Sequence, residues 1–176
     1  MKKKLLVLGA GNAQIDLIKY AKSIGLEVFA CSYSGTDKGA ALADTFAEIN
    51  IVDIDRIESY VKENRIDYIY SVGSDIAVPT FCKVAEHLNM FHFVSVRTAD
   101  ICCNKHLMRE ALGADDPFNV PFSVCETLDE AKNADFFPLM VKPVDSQGQR
   151  GVYLASDFEE LSLHFDRSMS YSRCGK

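Results

Sequence analysis

The 176-residue chain is short of the features that usually announce a function class. Its six cysteines (Cys31, Cys82, Cys102, Cys103, Cys125 and Cys174) contain no C-x-x-C pair, and its four histidines show no metal-ligand spacing. A disulfide framework and a structural zinc site are therefore excluded, and the thiols read as core or incidental. No run reaches the roughly 18 apolar residues of a membrane span. The start, Lys2-Lys3-Lys4 and then residues 5–10, imitates a secretory leader but breaks at Gly9-Ala10-Gly11, short of the roughly 7–15 apolar residues required. A cytoplasmic protein without a membrane partner is expected. Positive charge is also scarce: 19 Lys and Arg stand against 25 Asp and Glu, a net charge of −6. That balance disfavours nucleic acid as a partner. There is no internal repeat and no low-complexity tract.

What is present is 48% hydrophobic residues, enough for a core, arranged in strand-like and helix-like runs. Residues 2–9 read as a strand buried on both faces. Asn12 is placed to cap a helix with Leu17, Ile18, Ala21 and Ile24 on one side and Gly25 just past its end. Strands are expected at 27–33, 45–50, 67–72 and 91–96. A short helix at 39–43 precedes the third strand, a helix opened by Asp53 or Asp55 follows it, and another carries Val78, Phe81, Val84, Ala85 and Leu88. Strands alternating with helices predict an α/β unit over residues 1–96, a Rossmann-like parallel sheet with helices on both faces.

From Arg97 the rhythm changes. Residues 97–176 predict a partial α+β unit: a helix capped by Asn104, an irregular lead from Pro117 into a strand near Cys125, a capping box at Thr127–Glu130, two strands around a glycine loop, and a second capping box at Ser156–Glu159. At about eighty residues the unit is small, and the chain is expected to stop partway through a domain.

Two places could bind a ligand in the first unit. The loop Gly9-Ala10-Gly11-Asn12-Ala13-Gln14 approaches a dinucleotide fingerprint, but Gln14 stands where the third glycine belongs. The second strand also ends Cys31-Ser32-Tyr33, without the acid that holds a ribose. An NAD site is disfavoured. Gly11 and Asn12 could still face a substrate carboxylate or phosphate, and Ser74 and Asp75, after the fourth strand, lie on the edge where open α/β sheets bind ligands. A tight turn, and a plain helix cap at Ser74 or Asp75, are the structural alternatives.

The second unit carries stronger signals. Lys105 follows the cap at Asn104, where a first-turn cation opposes the helix dipole; a solvated lysine is the plain alternative. Lys142 sits in an apolar run where Val or Ile would be expected. It is followed by Pro143 and the loop Ser146-Gln147-Gly148-Gln149-Arg150-Gly151, whose glycines let backbone N–H groups turn toward an anion.

Asn104-Lys105 with Arg109, then Pro138-Leu139-Met140-Val141-Lys142-Pro143, then the loop 146–151 and Val152, resembles the ATP-grasp ligases, in particular the carbamoyl-phosphate-synthase-like members. The sheet with Gly9-Ala10-Gly11 and Gly73-Ser74-Asp75 is similar to the domain that precedes that fold. The resemblance spans nearly the whole chain. It implies that Lys105 and Lys142 contact ATP phosphates, Lys142 also near the adenine, and that Ser146, Gly148, Gln149, Arg150 and Gly151 close over them. The implied reaction uses ATP and Mg²⁺ to phosphorylate a small carboxylate, which an amine then attacks. The loop has fewer glycines than many members. The family's adenine-hinge acid, paired metal-holding carboxylates and nearby arginine have no counterpart in this chain, so no metal ligand and no catalytic residue is assigned. Asp157, Glu159 and Glu160 read as capping and solvated charge. A catalytically incomplete amino-terminal portion is expected, with a non-catalytic nucleotide-binding or partner module as the alternative. A second copy or a complementing subunit would be its protein partner.

Overall fold

The computed structural model describes residues 2–134 and 136–176. The chain divides into two compact units, Met1–Asp100 and Ile101–Lys176.

In the first unit, β1 (Lys4–Leu8), β2 (Glu27–Ser32), β3 (Thr45–Glu48) and β4 (Tyr68–Tyr70) form a parallel sheet in the order β3-β2-β1-β4. The continuous apolar run of β1 is required because the sheet is covered twice. Leu6, Leu8, Phe29 and Cys31 pack with Ile57 and Val61 of α2 (Ile54–Asn64) and Phe81 and Val84 of α3 (Ala77–His87). Their neighbours Leu5, Val7, Val28 and Ala30 point the other way, onto Ile18 and Ala21 of α1 (Ile15–Ser23). Each fully buried aliphatic side chain contributes about 1.5–3 kcal/mol.

Three helices of this unit end alike. An N–H two or three residues past the helix end reaches back five residues, from Leu26 to Ala21, Ile66 to Val61 and Met90 to Ala85. The turn residue is left-handed each time: Gly25 (φ 89), Arg65 (φ 52) and Asn89 (φ 53).

Two local expectations fail here. Asn12 does not cap α1: it lies inside a 3-10 turn, Asn12–Gln14, with Gly11 in the cap position and no side-chain cap bond. Residues 91–96 form no fifth strand. The Phe93 ring instead sits 5.5 Å from both the Tyr70 and Phe81 rings, and Ser95 opens α4 (Val96–Cys103) by accepting the Thr98 N–H at 3.1 Å. An aromatic, β-branched run has strand propensity, but ring packing without a ladder partner decided its conformation.

In the second unit, α5 (Lys105–Leu112) and α6 (Leu128–Ala131) precede β5 (Leu139–Val141), which pairs antiparallel with β6 (Tyr153–Ala155), followed by α7 (Phe158–Met169). Ala131, Ala155, Leu161 and Phe165 form its core. The stretch 117–125 stays irregular and no strand forms there; Val120 and Phe122 are exposed. The box at Thr127 and Glu130 is present. The second box sits one residue later than expected: Asp157 accepts the Glu160 N–H at 2.9 Å, and Glu160 accepts the Ser156 N–H at 2.8 Å. Asp157 and Glu160 are thus helix-capping carboxylates.

Candidate functional site

Lys105 and the strand-end segment after β5 are joined at two points. Asn104 caps α5 by accepting the His106 and Leu107 N–H groups. This leaves the Lys105 N–H, an orphan of the first turn, to donate to the Val144 carbonyl at 2.9 Å. The Lys105 ammonium donates to the Ser146 carbonyl at 2.5 Å. The first-turn lysine therefore braces the opening of the glycine loop.

Lys142 lies one residue beyond β5, not inside it. Lys105, Arg109 and Lys142 line one cavity of about 580 Å³, whose remaining wall includes Phe122, Met140 and Leu161. Partial burial, and then the charge of Arg109, hold the Lys142 ammonium below its ordinary pKa. Both effects disfavour the cation, so the position favours an anion beside it. The loop itself turns through left-handed backbone at Gly148 (φ 63), Gln149 (φ 60) and Gly151 (φ 74). Gly148, Gln149 and Arg150 are exposed and outside the cavity wall, whereas Gly151 is buried. A Cβ on Gly151 would lie 2.9 Å from Pro143 Cγ, so the close approach of the loop to Pro143 requires glycine. The side-chain nitrogen of Gln147 is buried with no partner among the described residues, a donor that sequence reasoning passed over.

Asp145, three residues after Lys142, was also not anticipated. Its carboxylate accepts the Arg173 N–H (3.1 Å) and Cys174 N–H (2.9 Å), and the Ser172 hydroxyl at 3.4 Å. Burial alone would raise its pKa, but these donors and the Arg173 charge together hold it below the usual carboxylate value. Next to it, Val144 donates to the Lys176 carbonyl at 3.2 Å. Residues 172–176 are thereby held against the segment that Lys105 braces.

Gly11, Asn12, Ser74 and Asp75 gather at the carboxyl ends of β1 and β4, where the strand order reverses. The Gly11 N–H is already engaged: it donates to Gln14 Oε1 at 3.0 Å, and Gln14 Nε2 donates to the Val72 carbonyl. Gln14, only 5% exposed, so ties the two turns together in place of the missing third glycine. The helix α3 begins after Ile76, and the Ser74 carbonyl accepts the Ala77 N–H at 3.0 Å.

The chain's relatives and structural neighbours are ATP-grasp ligases, and the chain matches their amino-terminal part. A formate-dependent phosphoribosylglycinamide formyltransferase of Prochlorococcus marinus subsp. pastoris is 27% identical over 177 residues, covering 97% of this chain and 45% of the relative. The crystal structure of phosphoribosylglycinamide synthetase from Anaerococcus prevotii superposes with a TM-score of 0.66 at 26% identity, over 98% of this chain and 44% of that one. The N5-carboxyaminoimidazole synthetase of Staphylococcus aureus, solved in complex with ADP, shares the fold with a TM-score of 0.70 at 16% identity, over 97% of this chain and 46% of that one. The chain thus spans a little under half the length of the relatives it matches. No family model matches it.

Proposed function

We propose that this chain supplies the leading domain and the first phosphate-holding lobe of an ATP-dependent carboxylate–amine ligase. The observation that carries the reading is the convergence of Lys105 and Lys142 on one cavity, with Lys105 also bonded to the first carbonyl of the loop 146–151. Two cations beside an apolar wall suit a nucleoside triphosphate, whose base wants apolar cover and whose phosphates want charge. In this reading Lys142 contacts phosphate and lies near the base. Ser146, Gly148, Gln149, Arg150 and Gly151 form a loop whose left-handed backbone can turn N–H groups toward the terminal phosphates. Their contribution is binding and orientation of a phosphoryl group, the larger part of what such transfers need from protein.

The acid and the amine would be small molecules, in keeping with relatives named for formate and phosphoribosylglycinamide. Their place would be the β1 and β4 edge, near Gly11, Asn12, Ser74 and Asp75, with the Gly11 N–H already committed to Gln14. The described residues contain no group of three or more His, Cys, Asp or Glu side chains able to hold a metal ion. No residue of this chain is assigned to the Mg²⁺ that such ligases use, and no step is assigned to a metal here.

Calorimetric titration with Mg-ATP tests the proposal. Binding that weakens on Lys142→Ala is expected. Micromolar binding indifferent to that substitution would remove Lys142 from the site.

A further inference from the structure

Arg109 is one turn beyond Lys105 on α5, and the two side chains line the same cavity with Lys142. Among the described residues no carboxylate pairs with Arg109 or with Lys142. The Arg109 guanidinium is instead held by a neutral group: Nη1 donates to Asn119 Oδ1 at 3.1 Å. Asn119 is itself fixed. Its amide nitrogen donates to the carbonyls of Arg109 (2.9 Å) and Gly113 (2.8 Å), and its Oδ1 also accepts the Val120 N–H at 3.0 Å. It therefore adds a second donor to two carbonyls at the carboxyl end of α5, which also accept the Gly113 and Asp116 N–H groups, and turns one oxygen toward the guanidinium. A carboxylate at this position would neutralise the arginine; an amide orients it and leaves its charge unspent.

We infer that Arg109 is a third cationic ligand for the phosphates of a nucleoside triphosphate in this cavity, and that Asn119 is the residue that positions it. The inference rests on the function proposed above and adds two residues to it. A guanidinium presents a planar fork of N–H donors, so a head already anchored through one of them can offer others to phosphate oxygens. Two uncompensated cations in one wall are costly without an anion and mutually stabilised with one. The charged groups facing this cavity are Lys105, His106, Arg109, Glu130, Lys142 and Lys176; His106 pairs with Glu110 and Lys176 with Glu126.

Calorimetry on the full chain with Mg-ATP and with inorganic tripolyphosphate separates the possibilities. Arg109→Gln should weaken both by about tenfold, the loss of one charge-assisted hydrogen bond. Arg109→Lys, which keeps the charge but not the planar fork, should bind less tightly than the parent and more tightly than Arg109→Gln. Asn119→Leu should weaken binding severalfold, yet the double variant Arg109→Gln/Asn119→Leu should bind no worse than Arg109→Gln alone. A purely structural Asn119 would add its loss in the double variant, and that result would remove the positioning role. If Lys142→Ala weakens binding while Arg109→Gln does not, or if Arg109→Lys fails as badly as Arg109→Gln, the inference about Arg109 falls and the proposed function stands. If the parent chain binds neither probe, both fall together.

Discussion

The Lys105 ammonium donates to the Ser146 carbonyl across 2.5 Å, and the Lys105 N–H donates to the Val144 carbonyl two residues earlier. One residue at a helix start thus grips both sides of Asp145, between the second lysine and the loop that follows it. A cation that opposes the α5 dipole is tolerated because it has local acceptors.

Replacing this side chain should release the loop. Lys105→Met keeps the backbone bond to Val144 and removes the one to Ser146. Faster amide exchange at residues 146–151 is expected, with ATP affinity down by about tenfold. Exchange followed by mass spectrometry reads the first effect and calorimetry the second. Unchanged exchange would show that the loop is held by other contacts.

Asp145 makes stability depend on acid. Its folded-state pKa lies below the ordinary 3.8, so its contribution is present above that value and lost as pH falls through the folded pKa. Asp145→Asn should lower the stability of the second unit by about 1–2 kcal/mol at pH 7, since a neutral amide accepts the Arg173 and Cys174 N–H groups more weakly. Urea midpoints for parent and variant should converge as the pH is taken from 5 toward 3. A gap that does not begin to narrow as the pH falls below the ordinary carboxylate value of 3.8 would mean the carboxylate charge is not what holds residues 172–176.

The two glycines of the loop should respond differently to alanine. Both have positive φ, so each substitution carries backbone strain of about 1 kcal/mol. At Gly148 a new Cβ meets nothing within 4 Å, whereas at Gly151 it meets Pro143 Cγ at 2.9 Å and Tyr171 Cβ at 3.1 Å. Thermal melts should show Gly151→Ala clearly less stable than Gly148→Ala. Equal midpoints would indicate that Pro143 and Tyr171 yield readily.

Gln14→Gly would restore the third glycine of the dinucleotide fingerprint and yet should harm the protein. It removes the acceptor for the Gly11 N–H and the donor to the Val72 carbonyl, at a cost of about 1–3 kcal/mol. Gln14→Glu should also destabilise, because a carboxylate cannot donate to Val72. A Tm unchanged in both variants would show that the two turns hold without the bridge.

Much of the first unit was legible because its signals are local and periodic. The β1 run, the stripe of α3 and the residue past α1 each say what they are without reference to distant partners. The 91–96 segment was not legible for the opposite reason: whether Phe93 joins a ladder or packs on Tyr70 and Phe81 depends on what lies beside it in space. The same holds for the 117–125 segment, extended in composition but without a paired neighbour.

In the candidate site, residue type and order along the chain drew notice to Lys142, expected inside an apolar strand, and to the loop 146–151, while Lys105 gained a role only through the resemblance to ATP-grasp ligases. Their convergence on one cavity, the bond from Lys105 to Ser146, and the recruitment of Arg109 through Asn119 came from the tertiary structure alone. Sequence carries propensities over a few residues. Which cation meets which carbonyl, and which amide is spent on orienting a guanidinium, is set by packing between segments ten to forty residues apart.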